Sequence, residues 1–373
     1  MAQNNDVLRI FLNPIAPFMA DPDVTDISIL RRDHVEVRKR GTGFEPADAS
    51  WETDEDLMSA AKSISEYMGR RLDKRNPIVD ARLPDKSRVN MIVNPCYEYE
   101  ACIVIRKFPD EQLSLDDLKH FGSIDETGIT ILETIVRMGK TIMISGGTGS
   151  GKTTILNSLC GFIPDTGFVV TIEDAREISI SNRLKIPLES KRAMDEEDKE
   201  VTLKDLVRTS LRLNPRWVIV GEVRGAEAAD LVRAFNTGHA GMGTIHANSA
   251  EDALFALESR YLEAGLNITD RAIRGMIARA VNIVVYSEML PDYSRKLMEI
   301  IEVEGLDRSN PNDLYPSYKI RTLYKYEFSH YDEYTKAVGQ FHVVEPPSWI
   351  NKLKMLPNFK MPEFWQEQKV ERN

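Results

Sequence analysis

The run Gly146-Gly147-Thr148-Gly149-Ser150-Gly151-Lys152-Thr153 constrains this chain more than any other stretch of it. It fits the spacing G-x-x-x-x-G-K-[ST]. Glycines let such a loop wrap an anion so closely that several backbone N–H groups reach its oxygens. Residues 141–145 (TIMIS) read as a buried strand ahead of the loop. The stretch TTILNSLCGFI behind it reads as an amphipathic helix whose N-terminus faces the same anion. A ligand-free glycine turn is the alternative, but it would not need both flanking elements. Lys152 is expected to reach the outer phosphates of a nucleotide, and Thr153 to ligate Mg2+.

The surrounding pattern fits an α/β fold. Residues 168–172 (FVVTI) and 217–221 (WVIVG) are continuous apolar runs, as in strands buried on both faces of a parallel sheet. Helical patterns alternate with them, one around 126–138 and one opened by the capping box Thr202-Leu203-Lys204-Asp205. Earlier residues look α+β. Thr53 to Asp56 form a capping box, Leu57, Ala60, Ala61, Ile64 and Met68 share one helical face, and 88–93 (RVNMIV) and 101–106 (ACIVIR) read as strands. The expected organisation is an N-terminal α+β domain (1–117), a polar linker (118–124), a P-loop domain (125–305) and a C-terminal extension of unassigned role (306–373). Residues 189–200 (ESKRAMDEEDKE) read as an exposed charged loop.

Two acids are expected beside the loop. Glu222 ends one apolar strand, and Glu173, followed by Asp174, ends the other, so both project from the edge where parallel sheets bind ligands. Turnover of a bound nucleotide needs a group that orients or deprotonates water and an acid acting on Mg2+. The stretch from Gly238 to His246 is interrupted by glycines, so His239 and His246 cannot share a helix face, and no third ligand stands near them for zinc. A histidine after a short strand can sense a γ-phosphate, although a packing role suits either residue on its own.

Composition limits the remaining choices. The 373 residues are 42% hydrophobic and 28% charged, as in an ordinary globular chain, and the net charge of −10 argues against bulk nucleic-acid binding. Cys96, Cys102 and Cys160 are too few and too scattered for a disulfide framework and suit a reducing cytoplasm. No run approaches 18 apolar residues, and the first 18 residues, broken by Pro14 and Pro17, read as mature sequence.

GGTGSGKTT, TIEDAREI, VIVGEVRGAEAADLVRAFNTGHAGMGTIHANS and DARLPDKSRVN together resemble the secretion ATPase superfamily of type II and type IV secretion and type IV pili. Within it the chain looks most like the CpaF/TadA-like ATPases of Flp/Tad pilus assembly. The resemblance covers most of residues 20–305 and implies a RecA-like P-loop NTPase domain behind a smaller α+β domain. It further implies ATP and Mg2+ as cofactors and a homo-hexameric ring. The ring would be cytoplasmic, drawn to the inner membrane by a platform protein of a pilus or secretion machine.

Carried over by residue, Gly146 to Thr154 resemble Walker A, Glu173 the residue that polarises water, and Glu222 the Walker B glutamate. His246 resembles the residue near the γ-phosphate, with His239 in support. Arg82, Arg88 and Arg106 match N-domain arginines that reach nucleotide; surface ion pairing is the plainer meaning for them. Gly221 stands where many P-loop enzymes have Asp, a substitution usual in this superfamily. Asn214-Pro215-Arg216-Trp217 departs from the common R-P-D-R, and the tetracysteine zinc insert of some branches is absent. The alternatives are a conjugation-type type IV secretion ATPase, a RecA-like nucleic-acid translocase using an Arg208, Arg212, Arg216 stripe, and a scaffold that binds ATP without hydrolysing it.

Overall fold

The computed structural model describes residues 12–108, 113–191, 198–310, 313, 315–356 and 359–370. The chain divides into two units, Met1–Glu111 and Gln112–Asn373.

In the first unit, α1 (Ala16–Ala20) precedes β1 (Val24–Arg31), β2 (His34–Lys39), β3 (Phe44–Pro46), α2 (Asp54–Tyr67), β4 (Ile78–Arg82), β5 (Arg88–Val93) and β6 (Ala101–Arg106). The strands form one antiparallel sheet in the order β3-β2-β1-β6-β5-β4. The expected capping box opens α2: Thr53 Oγ1 accepts from the Asp56 N–H (3.1 Å), and the Asp56 carboxylate accepts from the Thr53 N–H (3.0 Å). The apolar face of α2, with Leu57, Ala61 and Ile64, joins Ile27, Ile29, Met91, Ile103 and Ile105 in one core.

The second unit is a doubly wound α/β domain. Its elements are α3 (Leu115–His120), α4 (Glu126–Arg137), β7 (Ile142–Gly146), α5 (Lys152–Cys160), β8 (Val169–Glu173), β9 (Lys185–Glu189), α6 (Leu203–Ser210), β10 (Trp217–Val220), α7 (Glu227–Asn236), β11 (Ala240–His246), α8 (Ala250–Leu262), α9 (Asp270–Ala280), β12 (Ile283–Met289), β13 (Arg295–Leu306), β14 (Tyr318–Tyr331), β15 (Ala337–Val343) and α10 (Glu363–Val370). The sheet order is β15-β14-β13-β12-β7-β11-β10-β8-β9, parallel from β12 to β9 and antiparallel from β12 to β15. Successive residues of the parallel strands feed two cores. Ile142, Ile144, Trp217 and Ile219 face one, and Met143, Val218 and Val220 face the other.

Two expected boundaries move. The stretch expected as a linker at 118–124 belongs to the second unit, whose first residue is Gln112. Leu115, Leu118 and Ile124 lie in its core. The stretch follows a capping box, Ser114 with Asp117, that opens α3, and within it Gly122, at φ +66°, terminates that helix. The supposed extension from 306 is also built into the domain: β14 and β15 continue the sheet, and Trp349, Ile350, Leu353 and Trp365 are buried in the core that holds Ile142 and Ile144. Half of the charged run at 189–200, residues 192–197, lies outside the described residues.

Candidate nucleotide site

The carboxyl ends of four parallel strands set this site. β7 ends at Gly146, paired side by side with His246 at the end of β11. β10 leads through Gly221 to Glu222, and β8 ends at Glu173. The loop between β7 and α5 needs its glycines. Gly146, Gly149 and Gly151 have φ of +154°, +77° and +90°, and a Cβ on Gly146 would lie 2.2 Å from the Ser287 carbonyl oxygen. Lys152, the first residue of α5, is buried. Its ammonium donates back to the carbonyls of Gly146 (3.0 Å) and Gly147 (2.7 Å) and faces His246 Nδ1 at 3.5 Å. Burial lowers the lysine pKa, and the charge of Glu222 partly opposes that.

His246 bridges the lysine to Glu222. With Nδ1 accepting from the ammonium, Nε2–H donates to Glu222 Oε1 at 3.2 Å, which defines the neutral tautomer. Burial and the Lys152 charge lower its pKa, so the ring is neutral at physiological pH. Glu222 also accepts from Arg224 Nη2 at 2.6 Å. Burial works against its ionisation, but the Arg224 hydrogen bond and the charges of Arg224 and Lys152 outweigh it and lower the pKa. Arg224 reaches Asp174 as well (3.5 Å), tying the ends of β8 and β10 together.

Glu173 is the opposite case. It is 3% exposed, and burial pushes its carboxyl up to about 7 although Oε1 accepts from the N–H groups of Glu177 (2.7 Å) and Ile178 (2.9 Å). Its Oε2 and Thr171 Oγ1, two residues away on the same face of β8, are buried without a hydrogen-bond partner. The glycine before Glu222 has a local reason: a Cβ on Gly221 would lie 3.1 Å from Glu173 Cγ.

This arrangement fits Mg-ATP. A glycine loop, a lysine held on carbonyls it can release, the Thr153 hydroxyl on α5, one ionised carboxylate and one orphaned carboxyl oxygen share an edge. Arg224 was missed from sequence, although its place two residues beyond Glu222 is a strand-like spacing that carries it to the same side.

His239 does not join this edge. It precedes β11 while His246 ends it, so the two lie seven residue steps apart, roughly 23 Å at ~3.3 Å per residue. Its Nδ1 bonds the Ala234 carbonyl (3.1 Å), and it lines a cavity with Asn214, Arg216 and Thr237 at the opposite edge of the sheet. The spacing in sequence hid this because the intervening glycines sit inside the strand rather than in a loop. The Arg208, Arg212, Arg216 stripe is also broken. α6 ends at Ser210, Asn214 turns the chain with φ +52°, and Arg208 pairs with Asp230 at 3.0 Å.

In the first unit, Arg82, Arg88 and Arg106 stand in one row across β4, β5 and β6, because Arg82 is paired with Arg88 and Arg88 with Arg106. Asp26 and Arg38 extend the row over β1 and β2. Asp26, buried, accepts from Arg38 Nε at 3.0 Å and from Arg106 Nε at 3.4 Å. Residues far apart in sequence thus make one band of cations with a single acid in it.

A family model described as type II/IV secretion system protein matches residues 12–309. The chain belongs to this secretion family. A putative conjugal transfer protein of Mycobacterium tuberculosis is 31% identical over 294 residues, 77% of this chain and 82% of that protein. An uncharacterised protein of Methanocaldococcus jannaschii is 30% identical over 299 residues, 80% of this chain but 52% of that protein, so the chain spans about half its length. The solved structure of the ATPase DotB from Legionella pneumophila matches with a TM-score of 0.58 at 19% identity, over 77% of this chain and 79% of that one, a likeness of fold. Among the described residues of this secretion-family chain, no helix is long and apolar enough to cross a membrane.

Proposed function

We propose that this chain is an ATP-hydrolysing motor subunit of a type IV pilus or secretion machine, acting as a homo-hexameric ring on an inner-membrane platform protein. The convergence of Lys152, His246, Glu222 and Glu173 on one strand edge carries this reading. Glycines 146, 147, 149 and 151, with Thr148, Ser150 and Thr154, cradle the phosphates. Lys152 leaves the Gly146 and Gly147 carbonyls for phosphate oxygens. Mg2+, held by Thr153 and through water by Glu222, supplies charge neutralisation when bound. Glu173, with a carboxyl near neutral pKa, takes the proton of the attacking water. Neutral His246 offers its Nδ1 side to the ammonium or to a water on the outer phosphate. Arg82, Arg88 and Arg106 supply positive charge to a nucleotide.

The similarity to a putative conjugal transfer protein favours a second reading within the same class, a conjugation-type type IV secretion ATPase. The Flp/Tad pilus reading rests on the motif resemblance.

The test is Mg-ATP turnover per protomer against protein concentration. Specific activity is expected to rise as the ring forms, in step with the mass measured by light scattering. A monomer that turns over ATP at a flat specific activity overturns the ring, and absence of turnover at every concentration and with membranes added overturns the ATPase. A second expectation concerns Gly221→Ala. The added methyl must displace Glu173 by a few tenths of an ångström. It should lower kcat roughly tenfold while ADP binding, measured by titration, stays as in the parent.

A further inference from the structure

We propose that Arg295 is a positioning residue that holds the phosphate loop in its binding shape from behind. The inference rests on the nucleotide-site reading above. Arg295 opens β13, outside the loop and 146 residues after Gly149, yet its Nε donates to the Gly149 carbonyl at 2.7 Å. Its Cδ lies 3.4 Å from where a Cβ on Gly151 would stand, and Met289, at the end of β12, packs 3.6 Å from such a position on Gly149. Ser287 Oγ contacts the Ser145 carbonyl and Ser150 Oγ, each at 3.4 Å. The β12–β13 hairpin therefore backs the loop along its length.

The direction of one peptide plane matters most. In a trans peptide the C=O and the following N–H point opposite ways. With the Gly149 carbonyl held outward by the guanidinium, the Ser150 N–H is turned into the loop. There it donates to the Gly147 carbonyl at 3.4 Å, a long bond that an anion oxygen can replace. A carbonyl turned inward would instead repel phosphate. Gly149 is free to flip because it has no Cβ, and its φ of +77° is one that few other residues adopt. The charge-assisted bond from Arg295 removes that freedom.

The anchor is itself fixed. Asp292, in the turn at 290–294, accepts from the Ser294 N–H (3.0 Å) and from the Ala337 N–H at the start of β15 (2.9 Å). Since loop amides hold phosphate in ground and transition states alike, losing the clasp should raise KM far more than it lowers kcat.

The experiment compares Arg295→Gln and Arg295→Lys with the parent chain, using mant-ADP titration, ATP kinetics and thermal melting. Arg295→Gln is expected to weaken mant-ADP and raise KM by roughly tenfold or more, the scale of one charge-assisted hydrogen bond, with kcat within about twofold. Arg295→Lys should recover part of the loss, because an ammonium can still donate to the carbonyl. Unchanged nucleotide affinity with a lower melting temperature overturns the proposal and leaves Arg295 as a brace of the hairpin. If Arg295→Gln does not fold, parental KM in Arg295→Met, which keeps the apolar stem without a donor, overturns it equally. A parent chain that binds no mant-ADP defeats the nucleotide-site reading and this inference together, whereas a binding parent with equally binding variants defeats this inference alone.

Discussion

Replacing Glu173 by glutamine is expected to stop ATP turnover and, at pH 8, to make the protein more stable. The two effects have one origin. The carboxyl is buried, its Oε2 has no hydrogen-bond partner, and its pKa is pushed up to about 7 from an ordinary 4.5. A carboxyl raised in the folded chain binds more protons there than in the unfolded chain. Stability therefore falls as pH climbs from about 4.5 to about 7, and the deficit stays constant above that. At about 1.4 kcal/mol per pKa unit, the deficit is about 3 kcal/mol at pH 8. Glutamine has nearly the shape of the protonated acid and keeps an acceptor for the Glu177 and Ile178 N–H groups, but it never ionises. The stability difference between variant and parent should therefore vanish below about pH 4.5, grow through the window and level off above pH 7.

Loss of a general base costs about 10²–10⁴-fold in rate. Urea unfolding at pH 4.5, 6 and 8, beside turnover at pH 8, checks both halves. A variant that keeps parental kcat removes Glu173 from the chemistry. A pH-independent stability difference means that the carboxyl ionises freely in the folded chain. A stabilised and inactive protein is the pattern of a strained group retained for function.

The features read correctly from sequence are those whose cause is local. The glycine spacing of the phosphate loop, the capping boxes at Thr53 and Thr202 and the two-faced apolar runs of β8 and β10 each follow from a few adjacent residues. Glu173 and Glu222 were legible because strand ends in parallel sheets share an edge. Features set by pairing between distant residues were not. The arginine row depends on the register of β4, β5 and β6, and the second partner of Arg224, Asp174, is 50 residues away. His239 was set beside His246 by the family resemblance alone, and the glycines between them, which excluded a shared helix face, lie inside β11. They are tolerated there for reasons of space: a Cβ on Gly241 would lie 2.0 Å from Phe235 Cε1 and 2.7 Å from the Val218 carbonyl oxygen. Tight packing of α7 on the sheet, invisible to any local pattern, requires the glycine.

The C-terminal segment was least legible, and removing part of it should have a large effect on stability. A chain ending at Glu345 is expected to lose the cooperative fold of the second unit. Beyond that point the chain buries Trp349, Ile350, Leu353 and Trp365 in the core that contains Ile142 and Ile144 of β7. Each large apolar side chain so buried contributes about 1.5–3 kcal/mol, hence roughly 6–12 kcal/mol for four. The two indole N–H groups have no hydrogen-bond partner, which takes back part of that sum. What remains is still comparable with the whole stability of a typical domain, ~5–15 kcal/mol. Polar anchors add to the loss. The Ser348 N–H donates to Glu302 Oε2 at 2.7 Å, and the Lys140 ammonium sits 4.9 Å over the Trp349 ring. Without the segment, the buried Glu302 carboxylate loses the Ser348 donors. Leu353→Ala separates packing from chain length, since it should cost about 2–5 kcal/mol in an otherwise intact chain. Near-ultraviolet circular dichroism and amide exchange on β7 provide the readouts. A truncated chain that melts cooperatively at the parental temperature would show that this segment is an appendage, and the domain would then close at β15. A truncated chain that exchanges throughout β7 would make the segment part of the structure that holds the phosphate loop, because that loop grows directly from the end of β7.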